Sequence, residues 1–469
     1  MTFSLPAPYK SFLPRFYRLA LVAMLSNMMV PLAGLFDAAF LGHLSSISSL
    51  AGVILGGILF DYLYRILKFL RNSTNSLTAN AMGEDDPTAV VVAVLRCGLI
   101  AIAIATVILL LQTPIHQLGF AILSGASDTE AAGLQYFNAR VWGAPAVLLN
   151  FVLIGWFLGR EMNGIVFLMS IVGNGTNVLF DYLMIMRWGW ESMGAGLATA
   201  LSQYLALGVG LLALLLTTQW QLVGKAWGQV MEREALMSAV VLKGNILVRF
   251  LALISAYSIF TNLSASFGTE ALAENGLLLQ IALLSQFTVQ GVGMTSQTLI
   301  GNFKGKGVVS QILPVLRVAL VNGLAIALAF ALCTVLFPDS IFSLLTNHAD
   351  VSGAMKQYTA WLIPLLSLTA AAFMMESYFI GTKNGAALRN GALLGFFIGF
   401  LPLIGLAMYQ RSEVWLWGAL TGYMAVLLSY LTYQLVVTHP QLEKENAAGS
   451  ADSESAPADD GAASVTATS

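Results

Sequence analysis

The hexapeptide TANAMG occupies residues 78–83, and a related hexapeptide, IGNFKG, follows 222 residues later at 300–305. The same offset aligns SLAGVILGG (49–57) with ALAENGLLL (271–279). It also aligns FLG (157–159) with FIG (379–381). Three matches at one offset indicate an internal duplication. The sequence therefore predicts two related halves with the same arrangement of helices.

The composition is typical of a membrane protein. The chain has 469 residues, of which 57% are hydrophobic and 10% are charged, and its mean hydropathy is +0.78. Soluble proteins carry roughly 25% charged residues, so this chain has too few charges to cover the surface of a soluble fold. The net charge of −2 gives no indication of nucleic-acid binding.

Apolar segments long enough to cross a bilayer, about 20 residues each, recur along the whole chain. They are 17–41, 50–71, 89–111, 134–158, 164–186, 194–217, 241–266, 272–299, 312–336, 357–381, 386–408 and 414–437. Six fall in each copy, so both copies enter the membrane in the same direction. The predicted fold is an all-α polytopic membrane protein with twelve transmembrane helices in two six-helix lobes, related by a pseudo-twofold axis along the membrane normal.

This division predicts four parts of the chain. We expect an N-terminal lobe at 1–217, an inner-side linker at 218–240 and a C-terminal lobe at 241–440. Residues 441–469 are polar and acidic, which predicts a disordered tail.

Most of the 22 lysines and arginines lie at the segment ends on the side of the N-terminus. The positive-inside rule assigns that side to the cytoplasm, so we expect both termini there and the protein in the inner membrane. In the second segment this assignment places Arg65 and Lys68 near the inner surface, with Asp61 and Arg65 in an intrahelical ion pair. The sequence suggests no functional role for these three charges.

A few ionisable side chains lie inside the apolar segments, where a charge is costly and marks function. Asp37 follows the helix-breaking Pro31 in the first segment, and Asn177 and Asp181 share one face of the fifth. Counting at 1.5 Å per residue places Asp37, Asp181 and Thr199 in the outer half of the first lobe. Two carboxylates in such a pocket repel each other, so one of them can bind a proton or small cation. Pro31 would let the first helix bend in response.

Glu376, in the tenth segment, has two interpretations from its position alone. It is either a residue lining a cavity or an anchor at the inner surface. The two cysteines, Cys97 and Cys333, lie in apolar runs without ligand spacing, so we expect neither a disulfide nor a metal site. The sequence also lacks the metal or nucleophile constellations of an enzyme, and we expect no enzymatic activity and no cofactor.

Several stretches, in this order along the chain, resemble one transporter family. They are PLAGLFDAAFLGHL (31–44), FLRNSTNSLTANAMG (69–83), YFNARVWGAPAVLLN (136–150), NGTNVLFD (174–181) and ESYFIGTKNGAALRN (376–390). They are similar to the multidrug and toxic compound extrusion (MATE) transporters, in particular to the DNA-damage-inducible F-like branch. The resemblance implies a V-shaped central cleft and efflux of organic compounds by antiport against protons or sodium ions.

The resemblance also implies roles for individual residues. Asp37, Asn177, Asp181 and Thr199 match the family's cation site in the first lobe, and Tyr136 matches a tyrosine of its fourth helix. The second-lobe sodium site of the family is not matched, because the seventh segment has no acid and the tenth offers Glu376 in place of an aspartate. This departure favours protons as the coupling ion, with sodium at the same first-lobe residues as the alternative.

We expect a monomer in the lipid bilayer that exports small organic compounds, amphipathic or cationic, through a cleft lined by Tyr136, Glu376 and Pro31. One alternative keeps the fold and changes the cargo to lipid-linked or organic-acid metabolites. A markedly basic cleft would favour that alternative. It ranks second here, because the sequence places the few buried cations near the inner rim.

Overall fold

The computed structural model describes residues 7–42, 47–123, 127–230, 232–345 and 356–455, and within these ranges the chain is helical almost throughout, with no strand. The helices of the first half are α1 (Leu13–Gly42), α2 (Ile47–Leu67), α3 (Phe69–Gly83), α4 (Pro87–Leu110), α5 (Gln112–Leu123), α6 (Ser127–Arg140), α7 (Ala144–Gly159), α8 (Asn163–Asp181) and α9 (Glu191–Thr217). α10 (Trp220–Val230) connects the halves. The helices of the second half are α11 (Arg233–Phe267), α12 (Thr269–Gly305), α13 (Ile312–Leu336), α14 (Pro338–Leu345), α15 (Leu362–Gly381), α16 (Gly385–Leu394), α17 (Leu401–Gln410) and α18 (Glu413–Ser455). The shorter elements are an α-helical turn at Ala7–Lys10, 3-10 turns at Val141–Gly143, Val309–Gln311 and Thr359–Trp361, and π-helical turns at Tyr182–Arg187 and Gly395–Phe400.

Ten helical stretches of the described residues are long and apolar enough to cross a membrane, and they correspond to the third to twelfth predicted segments. α1 and α2 occupy the first and second segments. The predicted two-lobe, all-helical fold is therefore confirmed.

The second predicted segment is longer than the sequence analysis indicates. A single turn at Lys68 separates α2 from α3, and α3 continues to Gly83 rather than ending at residue 71. The missed part, RNSTNSLTANAMG, is rich in polar residues that lower its hydropathy. These polar side chains are nevertheless buried, because α3 packs against α7 and, across the lobe boundary, against α12.

Hydrogen bonds to the second lobe satisfy much of this buried polar helix. Ser76 Oγ donates to the carbonyl oxygen of Ile380 at 2.5 Å, and Asn80 Nδ2 donates to that of Gly381 at 2.9 Å. Thr298 Oγ1 in turn donates to Asn75 Oδ1 at 2.9 Å. A buried polar group without a partner would be destabilising, so these bonds explain how a polar helix is accommodated between the lobes.

Repeat-related glycines make equivalent packing contacts. A Cβ on Gly159 would crowd the Asn75 backbone and the Thr78 side chain of α3. A Cβ on Gly381, at the same offset of 222, would crowd the Gln297 backbone and the Ile300 side chain of α12. The duplication found in the sequence is thus repeated in the helix packing, where close backbone approach requires glycine.

At one end of the molecule the two copies touch each other directly. A Cβ on Gly83 would overlap the carbonyl oxygen of Asn302, and a Cβ on Gly305 would overlap that of Asn80. We call these four residues the glycine seam. It joins the last turn of α3 to the last turn of α12 and closes this end of the lobe boundary.

The linker and the start of the tail are helical. In α10, Ala226 and Val230 are buried, and Arg96 of α4 donates to the carbonyl oxygens of Gln229 and Val230 at 2.7 and 3.2 Å. α18 continues to Ser455, although composition predicts disorder from residue 441. A hydrogen bond of 2.6 Å from Asn446 Nδ2 to the Gly307 carbonyl holds this extension. Residues 456–469 lie outside the described part of the chain.

Candidate functional site

Two adjoining cavities lie at the lobe boundary, each with a volume of about 460 Å³. One, the boundary cavity, is lined by α2 of the first lobe and by α11 and α12 of the second. The other, the N-lobe cavity, extends among α1, α2, α6, α7, α8 and α9. The residues that line both are Asp61, Arg65, Lys68, Phe287 and Gln290.

The N-lobe cavity contains two of the predicted coupling residues. Asn177 and Thr199 line it, and Asn177 Nδ2 donates to Asp181 Oδ2 at 2.9 Å. Asp181 is 1% exposed and ends α8, immediately before the π-helical turn. Such turns are rare and often occur at functional sites. Thr199 Oγ1 donates to the carbonyl oxygen of Ala195 at 2.9 Å, which leaves its lone pairs as acceptors.

Asp37 and Pro31 belong to α1, whose backbone is continuous from Leu13 to Gly42. Their side chains lie outside the described residues. α1 packs against α8 on one side and against α12 of the second lobe on the other. The helix that carries Asp37 therefore connects the coupling residues to the lobe boundary.

Tyr136 lies in the N-lobe cavity with a cationic partner. Its side chain is buried, and its hydroxyl accepts a hydrogen bond from Arg140 one turn later on α6. The Arg140 guanidinium also lies 4.8 Å from the ring centroid of Phe60 and 6.0 Å from that of Tyr64. Aromatic faces, which attract cations, thus hold Arg140 in the cavity wall.

Glu376 lies in the second lobe, away from the coupling residues. It forms a buried ion pair with Arg249 of α11, in which Arg249 Nε donates to Glu376 Oε1 at 2.6 Å. Both residues line a small cavity beside the boundary cavity. Of the two interpretations of Glu376, the structure places it in a cavity wall rather than at the inner surface.

The buried cations are not at the inner rim, where the sequence analysis places them. Because α3 extends to Gly83, Arg71 lies 12 residues before the seam, which is about 18 Å along the helix. Arg65, Lys68, Arg71, Arg140 and Arg249 all line one or both of the large cavities. The predicted intrahelical pair is confirmed, with 3.8 Å between Arg65 and Asp61.

Sequence reasoning also missed neutral polar residues of the N-lobe cavity. Asn150 Nδ2 donates to the backbone and side-chain oxygens of Gln203 at 2.9 and 3.2 Å, and both residues line the cavity. Asn174 and Ser170 lie on the same wall. An amide within an apolar segment is the signal that could have identified Asn150 and Gln203.

Comparison with known proteins decides the family. The sequence profile of the MatE family matches this chain twice, at residues 23–183 and 246–404, once in each half. The chain belongs to the MatE family. The match in both halves agrees with the duplication seen in the sequence, and the family comprises transporters rather than enzymes.

Relatives along most of the chain support the assignment. DNA damage-inducible protein F of Escherichia coli (strain K12) is 30% identical over 418 residues, covering 87% of this chain and 89% of that protein. A probable multidrug resistance protein NorM of Thermotoga maritima is 24% identical, covering 91% of this chain and 94% of that one. The crystal structure of a MATE transporter mutant of Vibrio cholerae has a TM-score of 0.83 at 19% identity, covering 93% of this chain and all of that one.

Proposed function

We propose that this MatE-family chain is a cation-coupled antiporter that exports organic compounds, with protons as the coupling ion. The observation that carries the proposal is the buried carboxylate of Asp181, which is hydrogen-bonded to Asn177 on the wall of the N-lobe cavity. A carboxylate in an apolar environment is expensive to keep ionised unless it binds a cation or accepts hydrogen bonds. Asp181 is therefore suited to gain and lose a proton during transport.

We assign the coupling site to Asp37, Asn177, Asp181 and Thr199. Neutralising a carboxylate removes its demand for hydration, so the helices around it can pack more closely. α1 contacts both α8 and the second lobe, so a change at Asp181 can alter the lobe boundary through that helix. In this proposal Pro31 permits the bending of α1, and the substrate occupies the cavities next to Tyr136 and Glu376.

The orientation follows from the same proposal. The glycine seam lies at the end where the N-terminus, the α10 linker and the C-terminal extension of α18 are found, which we assign to the cytoplasm of the inner membrane. Both cavities are built by the two lobes of one chain, so a monomer contains the complete pathway.

The test compares the two candidate coupling ions in proteoliposomes that contain the full chain and a fluorescent organic substrate. We expect a proton gradient to drive transport and a sodium gradient of equal size at constant pH to have little effect. Sodium-driven transport without a proton gradient would replace the proton with sodium at this site. Transport that ignores both gradients would contradict antiport.

A further inference from the structure

The two cavities have a strongly unequal balance of charges. Five cations line them, namely Arg65, Lys68, Arg71, Arg140 and Arg249. Among the described residues, Asp61 is the one acidic side chain that lines either of them. A cavity of this charge attracts anions and repels cations.

Two of the cations are already neutralised by carboxylates. Arg249 is paired with Glu376, and Arg65 lies 3.8 Å from Asp61. Lys68, Arg71 and Arg140 form no ion pair with any carboxylate in the described part of the chain. Their charges remain available to a ligand.

Arg71 is the best-defined of the three. It is 9% exposed, and its Nε has no hydrogen-bond partner among the described residues. Its Nη2 makes one long contact, 3.4 Å, with Gln290 Oε1. A buried guanidinium with free donors is costly to maintain without an anion, and its planar fork matches a carboxylate or phosphate.

Aromatic rings support the other two free cations. Lys68 Nζ lies 5.5 Å from the ring centroid of Phe287, and Arg140 lies over Phe60. A ring face orients a cation without cancelling its charge. Leu253, Leu279 and Phe287 provide an apolar wall in the boundary cavity, which suits the body of an amphipathic ligand.

We propose that the substrate is an organic anion whose carboxylate or phosphate group binds to Lys68, Arg71 and Arg140, while its apolar part packs against α11 and α12. The proposal rests on the antiport function proposed above and replaces the cationic substrates expected from sequence with anionic ones. Export of such an anion is also favoured by the membrane potential, because negative charge leaves an interior that is itself negative.

The charge of the cargo also constrains the coupling. A proton bound near the cavity makes it more positive, so local electrostatics alone would strengthen anion binding. Antiport therefore requires that proton binding act through helix packing, with a conformational effect that exceeds the local one. α1, which contacts both α8 and α12, is placed to transmit it.

The test measures binding of two dyes with the same ring system to the full chain in nanodiscs of phosphatidylcholine. We expect fluorescein, an anion, to bind more tightly than rhodamine 6G, a cation. Arg71→Gln and Lys68→Gln should each weaken fluorescein binding by about tenfold, the usual effect of losing a charged hydrogen bond. Arg71→Lys, which keeps the charge, should lose less. Arg317→Gln, which removes an exposed arginine of α13, should change nothing.

Tighter binding of rhodamine 6G, together with fluorescein binding that is unchanged in both glutamine variants, would overturn the proposal. Competition identifies the source of the anion: displacement by a soluble tricarboxylate supports a free organic acid, and displacement by farnesyl phosphate alone supports a lipid-linked anion. Transport separates this proposal from the function on which it rests. Fluorescein binding without gradient-driven transport would refute antiport alone, and gradient-driven transport of rhodamine 6G but not fluorescein would refute the anionic substrate alone.

Discussion

The glycine seam predicts that one methyl group can shift the equilibrium between conformations of the two lobes. A Cβ at Gly83 would overlap the Asn302 carbonyl oxygen and lie 2.9 Å from both Gly305 Cα and Lys306 N. All three are backbone atoms, so no rotamer change can relieve the overlap. Overpacking of this kind costs about 1–3 kcal/mol. Gly83→Ala should therefore lower the population with the seam closed by about 5- to 150-fold relative to the open state.

The assay is a distance measurement between spin labels at Pro87 and Ser310, which are exposed residues beside the seam. The background replaces Cys97 and Cys333, the free cysteines of the described chain, with alanine. We expect Gly83→Ala to increase the population of long distances and to slow transport, since the seam must close once in every cycle.

Gly208→Ala provides the matched control. Gly208 lies on α9, and a Cβ there meets no atom within 4 Å. This change increases helix propensity as Gly83→Ala does but introduces no overlap. Gly305→Ala should reproduce the effect of Gly83→Ala, because the two positions are related by the repeat. Distance distributions for Gly83→Ala that equal those of the Gly208→Ala control would refute the reasoning.

Three further changes probe individual contacts. Glu376→Gln leaves Arg249 buried without its charge partner and should destabilise the protein by about 3–5 kcal/mol, whereas the double change to methionine and leucine should be nearly neutral; thermal unfolding in detergent compares them. Glu161→Gln removes the partner of the partly exposed Arg15 and should cost less than about 1 kcal/mol in the same assay, so a larger loss would contradict it. Asn446→Ala should accelerate proteolysis of the C-terminal end of α18, and an unchanged cleavage rate would show that this hydrogen bond does not hold the extension.

The duplication made most of the fold predictable from sequence. The offset of 222 residues gave the lobe structure, and hydropathy gave the remaining helix positions to within a few residues. The length of the second segment was missed, because Ser76 and Asn80 read as loop residues when hydropathy is the guide. Their partners are backbone carbonyls about 300 residues away along the chain, and no local pattern identifies such contacts.

The candidate site was predictable in part. Spacing alone predicted that Asn177 and Asp181 share a helix face, and their side chains are hydrogen-bonded. The pairing of Glu376 with Arg249 joins segments 127 residues apart, so sequence position could not show it. The error about Lys68 and Arg71 followed directly from the misplaced end of the second segment, and it changed the inferred charge of the cavity.

The central claim is that buried acids of the first lobe bind the coupling ion. The most direct test is the rate of transport driven by a proton gradient in proteoliposomes that contain the wild type, Asp37→Asn or Asp181→Asn. Both substitutions keep the size of the side chain and remove its ability to exchange a proton. The account predicts that each abolishes gradient-driven transport while substrate binding persists. Gradient-driven transport at the wild-type rate in both variants would contradict it.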